Sequence, residues 1–184
     1  MTSVTAQTFV GELALRHLDA AYNLGRWLLG NEQDAADAVH DAYLRAAGSA
    51  DTYAGGNARA WWLAIVRNCC LVRLNTRTKD QRNIAIDQNS NAAEHWLPRS
   101  EASEVEDRID TAQRQSLIAQ QLQKLPVEFR EALILREIEE LSYREIADVL
   151  QTPIGTVMSR LARGRALLQK ALAAHAAMEV PHGL

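Results

Sequence analysis

The sequence predicts an all-α protein made of two small helical domains joined by an irregular acidic linker. Three observations carry this. Apolar residues recur at helical spacing on both sides of the chain's middle; alternating β-branched runs are missing; and residues 78–108 collect Asn, Ser, Asp and Glu around Pro98. The expected boundaries are 10–77, 78–108 and 109–173. A chain of 184 residues can bury two small cores, and an apolar content of 47% excludes a disordered chain.

Each element has a local reason. Residues 9–29 place Leu18, Tyr22, Leu28 and Leu29 near one side, and Gly30-Asn31 ends that helix and starts the next. In 32–47, Ala35, Val39, Ala42 and Ala46 follow the period of a helix face. Ala54-Gly55-Gly56 is a flexible loop; Asn57 then caps a helix over 57–76 whose buried stripe runs through Trp62, Val66 and Cys69. Beyond the linker, helices are expected at 109–124 and 127–138, with Pro126 at a first turn. Ser142 caps a short helix over 143–150, Gln151-Thr152-Pro153 break the chain, and 154–173 form the last helix. Trp96, the one large apolar residue of the linker, is expected to pack within the chain.

Net charge is −3, which excludes a uniformly basic nucleic-acid binder. The total hides a pattern: residues 1–50 carry −3, 51–86 carry +4, 87–112 carry −5, 113–150 carry −2 and 151–184 carry +3. Two basic segments separated by an acidic one fit two anion-binding surfaces, or simply solvated helix faces. The N-terminal segment lacks a basic start and an unbroken apolar run, and nowhere are there about 18 successive apolar residues, so neither a signal peptide nor a membrane span is expected. Cys69 and Cys70 are adjacent, which offers no disulfide framework and no zinc spacing; packed thiols in a reducing cytoplasm fit better. The five histidines are scattered and build no catalytic or metal-ligating set, so no enzyme, metal, cofactor or small-molecule substrate is expected.

A short helix, a tight break and a basic second helix are what lets a helix enter the DNA major groove. On the last helix Val157, Leu161, Leu168 and Leu172 share one side, while Thr156, Arg160 and Arg163 line another. Thr156 and Ser159 near its start can donate to phosphate; Arg160 and Arg163 can reach phosphates or guanine edges. An ordinary helical hairpin with solvated arginines has the same spacing. In the N-terminal half, Asp34, Asp37, Asp41 and Arg45 form a stripe opposite the apolar face, suited to a basic protein surface and repellent to phosphate. The helix over 57–77 sets Trp61 and Trp62 beside Arg59, Arg67, Arg73 and Arg77, a pattern that suits unstacked bases; periodicity puts Trp62 in the core and leaves Trp61 for stacking.

Residues 125–172, with Leu-Ser-Tyr-Arg-Glu-Ile-Ala followed by Gly-Thr-Val-Met-Ser-Arg-Leu, closely resemble region 4 of bacterial sigma factors. Taken alone, that run could belong to another helix-turn-helix regulator. Residues 34–47, DAADAVHDAYLRAA, resemble the sigma region 2 helix that grips the coiled coil of the polymerase β′ subunit, with His40 where Gln is frequent. Arg59-Ala60-Trp61 with Arg67-Asn68 is similar to the part of region 2 that melts and reads the −10 element, with Ala64 and Val72 departing from the family pattern. Region 2, a short linker and region 4 together resemble the extracytoplasmic-function (ECF) group of the sigma-70 family. The resemblance implies a region 2 helical bundle, a region 4 helix-turn-helix, and promoter-specific initiation with core RNA polymerase. It assigns polymerase contact to Asp37, Asp41 and Arg45, −10 contacts to Tyr53, Asn57, Arg59, Trp61, Arg67 and Asn68, and −35 contacts to Thr156, Ser159, Arg160 and Arg163. It further implies a β-flap contact for region 4, a linker running through the polymerase, and an anti-sigma factor that can hold the protein at the inner membrane face. A dimeric repressor, a protein-only anti-sigma mimic and an enzyme are the competing classes. Promoter-dependent transcription separates them.

Overall fold

The computed structural model describes the backbone of residues 3–84 and 105–179, and the side chains of 7–79 and 114–175. Trp96, Pro98 and most of the expected linker lie outside the described residues. Those described form eight helices and no strand. In chain order they are α1 (Ser3–Arg16), α2 (Leu18–Leu29), α3 (Glu32–Gly48), a short turn at Ala50–Thr52, α4 (Ala58–Ile84), α5 (Val105–Lys124), α6 (Val127–Leu133), α7 (Tyr143–Leu150) and α8 (Ile154–Glu179).

The N-terminal module packs α1, α2 and α3 around α4. The small face predicted on α3 is buried throughout, at Ala35, Val39, Ala42 and Ala46, and lets neighbouring backbones approach closely. At Gly25 of α2, an added Cβ would lie 3.3 Å from the backbone and side chain of Ala35. Trp62, Leu63 and Val66 are fully enclosed on α4, each such side chain contributing roughly 1.5–3 kcal/mol or more through burial. Asn31 caps α3 by accepting from the Asp34 amide at 2.7 Å, and Asn57 caps α4 by accepting from the Ala60 amide at 3.0 Å.

Several helix limits differ from those expected, and α1 and α5 begin earlier, at Ser3 and Val105. Residues 9–29 are two helices, because backbone angles of −119° and 28° at His17 interrupt the turn and redirect α2; Leu18 is exposed just after this break. Helices α4 and α8 both run beyond their expected ends, to Ile84 and Glu179, in stretches with no glycine or proline to stop them. The expected helix at 127–138 loosens after Leu133 into a wider turn, Ile134–Ile138, where the Glu139 amide reaches the Ile134 carbonyl.

In the C-terminal module α6, α7 and α8 close around Leu133, Ile134, Leu135, Ile146, Val149, Val157 and Leu161. Ser142 and Glu145 form a reciprocal cap on α7, with the Ser142 amide donating to Glu145 at 2.8 Å. The turn to α8 uses Gln151 at φ 53°, an uncommon conformation for a residue other than glycine.

The two modules pack against each other, and their buried residues join in one apolar cluster. Helix α2 ends on Gly30 at φ 80°, where its last carbonyls point at α5 and α6. Arg130, only 8% exposed, answers them: it donates to the Leu28 carbonyl at 2.8 Å, and to the Gln123 side chain and the Gln123 and Leu125 carbonyls. Gln123 itself donates to the Trp27 carbonyl. A guanidinium at a helix C-terminus is favoured by the helix dipole as well as by these bonds. Replacing Arg130 with Leu strands four acceptors, so Arg130→Leu is expected to destabilise the protein by about 3 kcal/mol in urea unfolding, and Arg130→Lys to recover only part of that.

Candidate nucleic-acid interface

The residues expected to read DNA come from three places: the loop before α4, the exposed side of α4, and the start of α8. In the loop, Tyr53 donates to the Gly56 carbonyl at 2.8 Å and stacks on Phe9, with ring centroids 5.2 Å apart. Trp61 lies tilted against Tyr53 at 5.4 Å, half-buried, while Trp62 is wholly enclosed as its period predicts. A small aromatic group therefore stands beside the flexible Gly55-Gly56 turn, and both glycines have positive φ.

Asn57, Arg59 and Arg67 face the C-terminal module, while Asn68 is exposed. Asn57 donates to Glu145 at 3.1 Å; Arg59 reaches the Glu139 carboxylate at 3.4 Å and its carbonyl at 3.2 Å. Arg67 makes a two-pronged pair with Glu131, at 2.7 and 2.9 Å, and also donates to Asn68 at 3.3 Å. From α8, Arg160 donates to the same Glu131 at 3.2 Å. Glu131 thus joins one arginine from each module. Thr156 is half-buried, whereas Ser159 and Arg163 are exposed; the Ser159 hydroxyl donates to the Thr156 carbonyl.

Burial raises the Glu139 carboxyl above its ordinary range, with Asn23 and Arg59 pulling it partly back. Glu145 is held low, chiefly by the Ser142 amide. These partners were not found from sequence, since Glu131, Glu139 and Glu145 lie 64 to 88 residues from the groups they meet. The only trace of them was the net acidity of 113–150.

The acidic stripe of α3 runs along α4. Arg73 bonds Asp41 at 2.7 Å and lies 3.6 Å from Asp37, and Arg77 pairs with Asp34 at 3.4 Å. Arg73 and Arg77, grouped in the sequence reading with the base-stacking residues, therefore face this stripe. Asp37 and Asp41 keep nearly half their side-chain surface in solvent, and Arg45 is exposed. On another side of the module an apolar groove of about 660 Å³ runs between Leu15, Leu18, Tyr22, Val39, His40 and Tyr43. Leu15, Leu18 and Tyr43 are exposed along it.

Residues 13–79 match the family described as Sigma-70 region 2, and residues 115–168 match Sigma-70, region 4. The Bacillus subtilis ECF RNA polymerase sigma factor SigW is 31% identical across 84% of this chain and 83% of its own length. The chain belongs to the ECF sigma factors. The RNA polymerase sigma-H factor of Pseudomonas aeruginosa is 35% identical over 76% of this chain and 74% of that protein. The Mycolicibacterium smegmatis ECF sigma factor SigE is 32% identical; this chain spans 62% of its length. Two solved structures share the fold at 24% identity: the Bartonella quintana sigma factor RpoE bound to the anti-sigma factor NepR, with a TM-score of 0.67 over 89% of this chain and 96% of that one, and CnrH with the cytosolic domain of CnrY, at 0.62 over 94% and 95%. The N-terminal module is thus sigma region 2 and the C-terminal module region 4. Sigma factors initiate transcription and are not enzymes. Among the described residues, no helix is long and apolar enough to cross a membrane.

Cys69 and Cys70 are buried in the region 2 core, and burial raises both thiols, Cys70 to about 12. Only the thiolate reacts, so both cysteines are expected to label slowly in the folded protein from pH 7 to 9 and rapidly once it is denatured, as mass spectrometry after maleimide treatment would read.

Proposed function

We propose that the chain is a promoter-specificity subunit of RNA polymerase, with region 2 spanning 10–77 and region 4 spanning 109–173. The observation that carries the reading is the union in one chain of both sigma modules, each with the polar surface its role requires. Asp37, Asp41 and Arg45 contact the β′ coiled coil. Their support is the half-exposed carboxylates on α3, which a basic helix of the polymerase can bridge. Region 4 contacts the β-flap.

At the −10 element, Tyr53, Asn57, Arg59, Trp61, Arg67 and Asn68 hold the opened strand. The aromatic pair offers stacking worth about 1–3 kcal/mol per base, and the arginines meet phosphates. At the −35 element, α8 enters the major groove with Thr156 and Ser159 against phosphate and Arg160 and Arg163 reaching phosphate or base edges. The acidic linker runs through the polymerase towards the RNA exit. No covalent chemistry falls to this chain.

The protein works in the cytoplasm under an anti-sigma factor. Support comes from the two fold neighbours, both solved with anti-sigma partners, and from the apolar groove on region 2, large enough to take one face of an amphipathic helix. Such a partner, if membrane-anchored, holds the sigma factor at the inner membrane face.

Run-off transcription with core polymerase on genomic promoter fragments tests the function: promoter-specific transcripts are expected, and failure to bind core at low salt overturns it. The double variant Asp37→Arg, Asp41→Arg is expected to lose core binding at least tenfold in a fluorescence titration while keeping its helical circular dichroism, the lost attraction of two ion pairs being about 1.4 kcal/mol or more. In holoenzyme, Arg160→Ala is expected to weaken −35 duplex binding and to reduce the log–log salt slope by about 0.9, the share of one phosphate contact. An unchanged slope and affinity would make Arg160 a bystander.

A further inference from the structure

We propose that Met158 of α8 reads the C5-methyl group of a thymine in the −35 duplex, so that the element this chain selects carries a T·A pair under that side chain. The proposal rests on the reading of α8 as the helix that enters the −35 major groove, and adds a contact that decides base identity to those of Thr156, Ser159, Arg160 and Arg163. The side of α8 turned away from the core differs from an ordinary solvated face. Val157 and Leu161 are buried in region 4, whereas Ile154, Met158 and Ala162, one turn apart in a single row, are all exposed, Ile154 by 42% and Met158 by 54%. Beside this row run Gly155, Ser159 and Arg163, also exposed. An added Cβ at Gly155 would meet nothing within 4 Å, so the start of the helix stands open on this side. Ile154 and Met158 take no part in the apolar core among the described residues.

A single exposed apolar side chain is ordinary on a protein surface. Here two share one row, on the second helix of the helix-turn-helix within the segment that matches sigma region 4. Their surroundings select the partner. From Ile154 to Met178 the chain carries no Asp or Glu, and Arg163 lies in the adjoining row, so this face suits phosphate nearby and opposes nothing on a nucleic acid. In the major groove the edges of G, C and A offer hydrogen-bonding groups, while thymine adds a methyl group at C5. A thioether returns almost none of the hydrogen bonds that a base edge loses when water is expelled. Set against G, C or A, Met158 would therefore leave polar groups unpaired. Against thymine it covers a methyl group, and its unbranched chain can adjust to reach it. Ser159 and Arg163, held to the backbone or to the neighbouring pair, fix the register in which Met158 meets its base. Discrimination then combines attraction to one base with a penalty against the others.

The test selects DNA with holoenzyme made from the full chain and core polymerase. Promoter duplexes randomised through the −35 element are bound, recovered and sequenced. Wild type is expected to favour T·A at a position where Met158→Ala shows no preference, with the other positions unchanged and Met158→Leu retaining the T·A. At that position uracil is then put in place of thymine, which removes only the methyl group. Wild-type binding is expected to weaken about fourfold, the worth of burying one methyl-sized group, and Met158→Ala binding to stay the same. Met158 is exposed, so neither variant disturbs the core. A T·A preference that survives Met158→Ala, or an equal effect of uracil in the two proteins, overturns the inference and leaves −35 reading by α8 standing. Weaker core binding by Met158→Ala with unaltered base preference, the result for a strip that docks on protein, overturns it as well. If wild type selects no −35 sequence at all, the proposed reading of α8 falls together with the inference.

Discussion

The carboxylate of Glu131 sets the terms for the rest of this structure. An almost fully buried charge is tolerable only if opposite charges and hydrogen bonds come with it, because desolvation alone costs several kcal/mol. Arg67 and Arg160 provide both, and they lie on α4 and α8, so the longest helices of the two modules must converge on α6. Everything else at the junction follows that geometry. The end of α2 is brought to Arg130 and Gln123, and the first turn of α4 to Glu139 and Glu145.

Neither module relies on the junction alone for a core. Region 2 is assembled from small residues on α3 against large ones on α2 and α4, a division that allows close helix approach. Region 4 packs branched aliphatic residues of α6 and α7 against Val157 and Leu161. The two clusters touch, yet the bonds across the boundary are largely polar. Apolar cores inside the modules with a polar boundary between them give a protein whose halves can change partners without unfolding.

Pairing of acid and base in space explains how a chain of net charge −3 can carry two basic segments. The basic segments at 51–86 and 151–184 are offset locally: by Asp34, Asp37 and Asp41 along α3, and by the three glutamates of region 4. Acid and base are matched by position in space as well as in total. Arg163 and Ser159 stay exposed outside this matching, and α8 keeps a polar face towards solvent.

Local rules carry far in this chain. The all-α class, the Asn57 and Ser142 caps, the buried period through Trp62, Val66 and Cys69, and the helix-turn-helix around Gln151-Thr152-Pro153 all depend on residues within a turn or two of each other, and the sequence by itself determined them. Its resemblance to sigma regions 2 and 4 likewise follows from contiguous strings. The break at His17 was not legible, since no glycine or proline marks it, and α1 and α2 both pack on α3 and α4 on either side of it. The onward runs of α4 and α8 were missed for a different reason: past residues 76 and 173 the amphipathic period fades, into a polar stretch on α4 and an alanine-rich one on α8, with no glycine or proline to mark a stop. What only the tertiary structure decided is which charges meet. Arg73 turning to α3, and Arg67 and Arg160 sharing Glu131, join residues 29 to 64 positions apart, and Coulomb attraction depends on distance in space, which no periodicity along the chain encodes.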